Sequence, residues 1–170
     1  MLDAKIAEMI NDQINAEFVS AYLYLDFANY YEDQGLDGFA NWYQVQAQEE
    51  RDHAMLMRTY LLNNGEKIHF SNIEMPVKEY KSPEDPLHYA MEHECYITGR
   101  INQIYGAAHE KHDYRTMQFY DWFVKEQGEE EKNADDLIKK FSLFGHDPKG
   151  LYELNQELLA RAYVAPSLTL

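Results

Sequence analysis

The sequence predicts an all-α fold: an antiparallel four-helix bundle with a long crossover between helices two and three, plus a short fifth helix. Three observations predict it. Apolar residues recur at steps of three and four through four long stretches, the spacing that gathers them on one helical face. The five Pro and eight Gly of the 170 residues fall mostly between those stretches. One long aperiodic segment separates the second stretch from the third, and the other breaks are short. A chain of this length can bury one sizeable core. Residues 1–170 are therefore read as a single domain, with the bundle over about 3–144 and the short fifth helix and tail over about 149–170.

The first helix runs from about Asp3 to Asp33, with Ile6, Ile10, Ile14, Glu17, Ala21, Tyr24, Ala28 and Tyr31 as its inner stripe. Gln34-Gly35 is a left-handed stop. The second helix starts near Asp37 and ends at Asn63-Asn64-Gly65. Its inner face carries Phe39, Tyr43, Gln46, Glu50, His53, Met57 and Tyr60. The short connection makes these two helices antiparallel neighbours. From Glu66 to Lys81 the period is lost, and Ile68–Ser71 and Ile73–Val77 read as an extended crossover along the bundle. Ser82-Pro83-Glu84-Asp85-Pro86 reads as a helix start with a Ser cap. The third helix reaches about His112 with the stripe Leu87, Ala90, Glu94, Ile97, Ile101, Ile104 and Ala108. The fourth begins at Asp113 and reaches about Phe144, with Tyr120, Phe123, Gln127, Glu130, Ala134, Leu137, Phe141 and Phe144 inward. Gly145-His146-Asp147-Pro148 breaks it. The fifth covers about Lys149 to Ala162 and carries Leu151, Leu154, Leu158 and Leu159, before the apolar tail Val164–Leu170.

Thirty Asp+Glu against fifteen Lys+Arg give a net charge of −15. Phosphate binding needs basic clusters, so nucleic acid is excluded as a partner, and anionic membrane surfaces with it. An acidic balance is compatible with attraction of cations. No apolar run is long enough to span a membrane. The N-terminus lacks the basic region and apolar run of a signal peptide. The sole cysteine, Cys95, permits no intrachain disulfide or cysteine-based metal cluster and is expected to be a small buried filler. Together these point to a cytoplasmic protein.

Each of the four long stripes is interrupted near its middle: by Glu17, by Glu50 with His53, by Glu94, and by Gln127 with Glu130. A single Glu on a helix face is usually solvated, and a lone Glu-x-x-His is a weak motif. Four central interruptions on four inner faces are a different matter, because in an antiparallel bundle they meet at one level. Isolated buried carboxylates are costly and would protonate. Four together carry −4, which two divalent cations neutralise, and carboxylate with imidazole suits iron or manganese.

The arrangement resembles that of ferritin-like di-iron proteins, in which one Glu from each of two helices joins a Glu-x-x-His pair from each of the other two. Here the second pair is Gln127-Gly128-Glu129-Glu130 instead. One metal position is thus expected at Glu17, Glu50 and His53, and a weaker one at Glu50, Glu94 and Glu130 with Gln127 close by. Weakness at one position suits metal in transit. Tyr24 lies two turns beyond Glu17 on the same stripe and can approach the site. Glu49, Glu126 and Glu129 lie one step around and form a second acidic group. Trp122, four residues before Glu126, reads as packing.

Over nearly the whole chain the sequence resembles bacterial non-haem ferritins of the heavy-chain type. Glu17, Tyr24, Glu50, His53, Glu94, Gln127 and Glu130 fall where that family places its ferroxidase centre, and Glu49, Glu126 and Glu129 where its bacterial members place a third iron. The resemblance implies a shell of twenty-four identical subunits and two irons per subunit with a third nearby. It implies oxidation of Fe(II) by O2 or H2O2, with storage of the ferric product as a mineral. Haem is not expected, since Arg51 stands where bacterioferritins carry their haem-ligating Met. Met117 and Tyr120 align with the acidic positions of the threefold pores of animal ferritins. Two alternatives stand beside this reading. One is a non-storage di-iron carboxylate oxidase acting on an organic substrate. The other is a metal-free helical interaction module.

Overall fold

The computed structural model describes residues 2–74 and 79–169. The crossover residues Met75-Pro76-Val77 and the last residue of the tail lie outside the described residues. Among those described there are five helices and no strand: α1 Ala4–Asp33, α2 Asp37–Asn63, α3 Asp85–Glu110, α4 Tyr114–Phe144 and α5 Pro148–Leu158. None of them is long and apolar enough to cross a membrane.

The helix ends follow from local chemistry. Asp3 caps α1 through its carboxylate, which accepts from the N–H of Lys5 at 3.0 Å. α1 and α2 both end in a left-handed glycine, Gly35 at φ 70° and Gly65 at φ 81°. The paired backbone bonds at each end (Gly35 N–H to Glu32 and Leu36 N–H to Tyr31 after α1) consume carbonyls the helix leaves open. Ser82 does not cap α3. Its N–H and hydroxyl instead bond to the Asp85 side chain, and the helix starts two residues later than a Ser82 cap would place it, at Asp85. α5 stops at Leu158, four residues short of the expected end. The segment beyond it is drawn away by side-chain bonds from α2.

α1 packs on α2, α3 on α4, and α1 also lies against α3, while α5 touches α2 and α4. The apolar stripes merge into two clusters at different levels of the bundle. One joins Ile6, Ile10, Ile14, Met57, Ile101, Ile104 and Phe123. The other joins Phe27, Tyr31, Phe39, Tyr43, Leu87, Phe141 and Leu154. Each fully buried Phe or Ile contributes roughly 1.5–3 kcal/mol, so these layers offset the cost of the polar level between them. Three expected core residues are elsewhere. Phe144, the last residue of α4, and Leu159, just past α5, are 51% and 43% exposed. Cys95 is exposed, not a buried filler, since it lies a quarter-turn from Glu94 on the outer face of α3. Tyr120, aligned with a pore position, is fully buried against Met57 and so lines no channel in this chain.

The extended segment after α2 is pinned to α1 by two asparagines. Asn11 accepts from the His69 N–H at 2.9 Å and donates to its carbonyl at 2.8 Å, and Asn15 accepts from the Ser71 N–H. These amides substitute for the ladder partners that an isolated strand would lack.

α5 has a role at the start of α2. The residue before α2 is Leu36, which offers no cap. Asn155 of α5 supplies it from a distance: its Oδ1 accepts from the N–H groups of Gly38 at 2.8 Å and Phe39 at 3.3 Å. The approach is so close that a Cβ on Gly38 would fall 1.7 Å from the Asn155 carbonyl oxygen. Asn155→Ala is expected to destabilise the fold by about 1–2 kcal/mol, leaving two buried N–H groups without an acceptor. Gly38→Ala should cost at least as much, by lifting α5 away. Thermal unfolding of both variants beside the wild type checks this.

Candidate metal centre

The level between the two apolar clusters is polar. Glu17 from α1, Glu50 and His53 from α2, Glu94 from α3, and Gln127 and Glu130 from α4 are all buried there. Tyr24 borders them, stacked on Tyr43 at a centroid distance of 5.7 Å. The i, i+3 spacing of Glu50 and His53, and of Gln127 and Glu130, puts both members of each pair on one inward face.

Single ligand atoms of Glu17, Glu50 and His53 lie within 4.8 Å of one another. His53 Nδ1 is 3.6 Å from Glu50 Oε2. Glu17 Oε1 accepts from Gln13, but Glu17 Oε2 is the one buried side-chain polar atom, among the described residues, without a hydrogen-bond partner. A buried carboxylate oxygen with nothing to accept from is costly. A cation between Glu17, Glu50 and His53 would satisfy it, so the donor set fits a divalent ion on this structure's own terms.

The other side is arranged differently. Glu94 accepts from the Tyr24 hydroxyl on one oxygen and from Gln127 Nε2 at 3.0 Å on the other. Gln127 also reaches Thr98 at 3.3 Å. Glu94 is therefore held by hydrogen bonds, and it joins no group of three ligand atoms among the described residues. Glu130 instead converges with His53 and with Glu126. Of the outer acidic group, Glu126 is half-buried and near the centre, while Glu129 is exposed. Glu49 is paired with Arg161 at 2.6 Å. Trp122 packs edge-on against His53 at 5.5 Å and donates its N–H to Ser167 of the tail.

More polar residues share this level than the one interruption per helix that the stripes display. Gln13, Ser20 and Gln46 are also buried. Gln13 stands four residues before Glu17 and donates to it at 2.7 Å. Gln46 stands four residues before Glu50 and donates to Glu50 at 3.0 Å and to Glu130 at 2.9 Å. The repeated Gln-x-x-x-Glu spacing, one helical turn, was the available signal.

Electrostatics follow from the crowding. Burial, then the charge of Glu50, holds Glu17 well above the carboxylate range, and burial with Glu94 and Glu50 does the same to Glu130. Glu94 is raised by burial and by Glu50 to about 7. Burial would discharge His53, but the bond and charge of Glu50, with Glu17 and Glu130 beyond, outweigh it and raise the imidazole to about 10. Burial likewise opposes ionisation of Glu50, yet His53 and Gln46 keep it below its ordinary value. In the metal-free protein the imidazolium proton thus does part of what a cation would do.

Comparison with known proteins agrees in kind. Residues 7–144 match the family model for the ferritin-like domain. A probable bacterial non-heme ferritin-like protein of Haemophilus influenzae is 38% identical over 158 residues, 93% of this chain and 96% of that one. The bacterial non-heme ferritin of Staphylococcus haemolyticus is 35% identical over 96% of this chain and 98% of its own length. A ferritin of Archaeoglobus fulgidus, engineered into a closed form, superposes with a TM-score of 0.93 at 40% identity, covering 96% of this chain and 100% of that one.

The raised groups set a pH dependence. Glu94 in the folded chain keeps its proton up to about 7, whereas its ordinary value is 4.5. The stability this confers is present below about 4.5 and is lost as pH rises through about 7. His53 acts in the same sense between its ordinary 6.5 and about 10. The metal-free protein should therefore melt at a lower temperature at pH 8 than at pH 5.5. Glu94→Gln should flatten part of that slope, and scanning calorimetry after chelation measures both.

Proposed function

The chain belongs to the ferritin family, and on that premise we infer that its buried centre binds Fe(II) as substrate and oxidises it to Fe(III) for storage. The observation that carries the reading is Glu17 Oε2, a buried carboxylate oxygen with no partner, set beside Glu50 and His53. A cation between these ligands would give that oxygen a partner.

Two Fe(II) ions carry the charge that balances Glu17, Glu50, Glu94 and Glu130. Glu17, Glu50 and His53 hold the first. Glu50, Glu94 and Glu130, with Gln127 close by, hold the second, and Glu50 lies between the two. Filling the site displaces the proton on His53 and those that burial keeps on Glu17, Glu94 and Glu130. Each ion gives up one electron, so the pair reduces O2 to H2O2, or H2O2 to two H2O, with two protons taken from solvent. Holding both ions on adjacent ligands is what allows both electrons to leave to one oxidant. The ferric pair carries more charge than four carboxylates balance, so it gains hydroxide or oxide and is released to the mineral. Glu126, beside His53 and Glu130, belongs with Glu129 and Glu49 to a third iron position next to the pair.

Storage requires an enclosed space that one bundle does not have. We propose that the chain assembles with copies of itself into a hollow shell, of twenty-four subunits as the resemblance implies. The ferritin-wide helix order and the match to structures over nearly the full length support that reading.

Glu50→Ala is expected to lower the initial rate of Fe(II) oxidation at least a hundredfold, since it removes the ligand shared by both positions, and Glu130→Ala at least tenfold. Oxygen uptake and the absorbance of oxo-bridged Fe(III) measure both. Wild-type rates in both variants would overturn the site. Elution of the native protein at the size of one or two chains would overturn the shell.

A further inference from the structure

The tail beyond α5 runs along α2 to α4, and through Arg161 it reaches the glutamine beside the metal centre. Asn41 of α2 donates to the carbonyls of Leu158 at 3.2 Å and Arg161 at 3.0 Å, which turns the chain along α2. Tyr163 then bonds to Asp52, and Ser167 accepts from Trp122 of α4 at 3.1 Å. Arg161 points inward. Its guanidinium lies 4.1 Å from the Trp42 ring centroid and donates to the Trp42 carbonyl at 3.1 Å, to Glu49 at 2.6 Å and to Gln46 Oε1 at 2.8 Å.

We propose that Arg161 is a positioning residue for Fe(II) oxidation, acting through Gln46 on the ligands Glu50 and Glu130. This rests on the reading of the centre given under Proposed function. A guanidinium can only donate, so the face of the Gln46 amide toward it must be the carbonyl oxygen. The NH2 is thereby turned to the centre, where its two protons meet Glu50 Oε1 at 3.0 Å and Glu130 Oε2 at 2.9 Å. One amide therefore ties carboxylates from α2 and α4 together. Without Arg161 the amide can turn over and put its oxygen against two carboxylates. A guanidinium fork can reach the Trp42 carbonyl, Glu49 and Gln46 together, which an ammonium cannot.

A second arm is built alike on the opposite side. Arg100 donates to Gln13 Oε1 at 2.6 Å, and Gln13 Nε2 donates to Glu17. Each arm is an arginine, a glutamine and a ligand glutamate four residues on. Only the Arg161 arm reaches Glu130, so it governs the position without an imidazole. Such outer partners are worth about 10–100-fold in metal affinity.

The test is a double-mutant cycle on the assembled protein in a Glu49→Gln background, so that no carboxylate is orphaned. Anaerobic Co(II) titration, followed by calorimetry and visible absorption, gives both site constants, and unfolding temperature without metal confirms the fold. Arg161→Met should weaken the looser Co(II) constant about tenfold while changing the tighter one less. Added to Gln46→Leu, the same substitution should change the looser constant less than about twofold, because the partner it acts through is gone. Arg161→Lys, which keeps the charge, should show the same dependence on Gln46 at smaller size and serves if the Met variant folds poorly. An equal loss with and without Gln46, or no loss at all, would overturn the proposal. A parent protein that binds no Co(II) would overturn the centre itself, and the positioning role with it.

Discussion

Four carboxylates buried at one level of a helical bundle are the constraint on which the rest depends. Their mutual repulsion and lost hydration must be met by positive charge and hydrogen bonds, or the helices cannot close. The chain meets most of this itself. His53 carries a proton, Gln13 and Gln46 supply donors, Tyr24 and Gln127 hold Glu94, and Arg100 and Arg161 anchor the glutamines. What the chain leaves unmet is one oxygen of Glu17. The two apolar clusters, filled with Ile, Phe and Tyr, close the level above and below it. The site is preorganised around a charge the protein does not contain.

The helices, their order and the residues at the central level were legible in the sequence, because period and glycine stops are local signals. Glu17, Glu50, His53, Glu94, Gln127 and Glu130 each break an apolar stripe, and burial confirms each placement. What was not legible depends on distance in sequence. Cys95 is adjacent to Glu94, and whether it faces a neighbour or solvent depends on helix rotation that spacing does not fix. Asn155 caps a helix 117 residues away, and Arg161 reaches Gln46 across 115. No window of sequence contains both partners. Spacing and the family resemblance both group Glu49 with the outer acids, and its pairing with Arg161 arises only once the tail is folded back.

α5 and the tail thus contribute to α2 twice. Leu36 cannot cap α2, so the N-terminal turn is completed only when Asn155 is in place. The bonds from Asn41 then turn the chain after Leu158 and bring Arg161 over Trp42. A helix that looks peripheral fixes both the start of α2 and, through Gln46, the ligand pair in its middle. Disturbing its packing at Gly38 would reach the centre by a chain of contacts and not through any residue at the centre.

The two proposed metal positions differ in how much of the protein must give way. At Glu17, Glu50 and His53 the ligand atoms already lie together, one oxygen has no hydrogen-bond partner, and the protons that burial and neighbouring charge keep on Glu17 and His53 must leave. At the other position Glu94 has both oxygens engaged, one by Tyr24 and one by Gln127, and Glu130 leans toward His53 and Glu126. A cation arriving there must displace two hydrogen bonds in a low-dielectric site, each stronger than its counterpart in water. The first cation lowers that cost. By removing the His53 proton and drawing on Glu50, it releases Glu130 from the imidazolium that attracts it. On the proposed assignment the imidazole side therefore takes its ion first. Tyr24 and Gln127 hold Glu94 in readiness until the second ion takes their place.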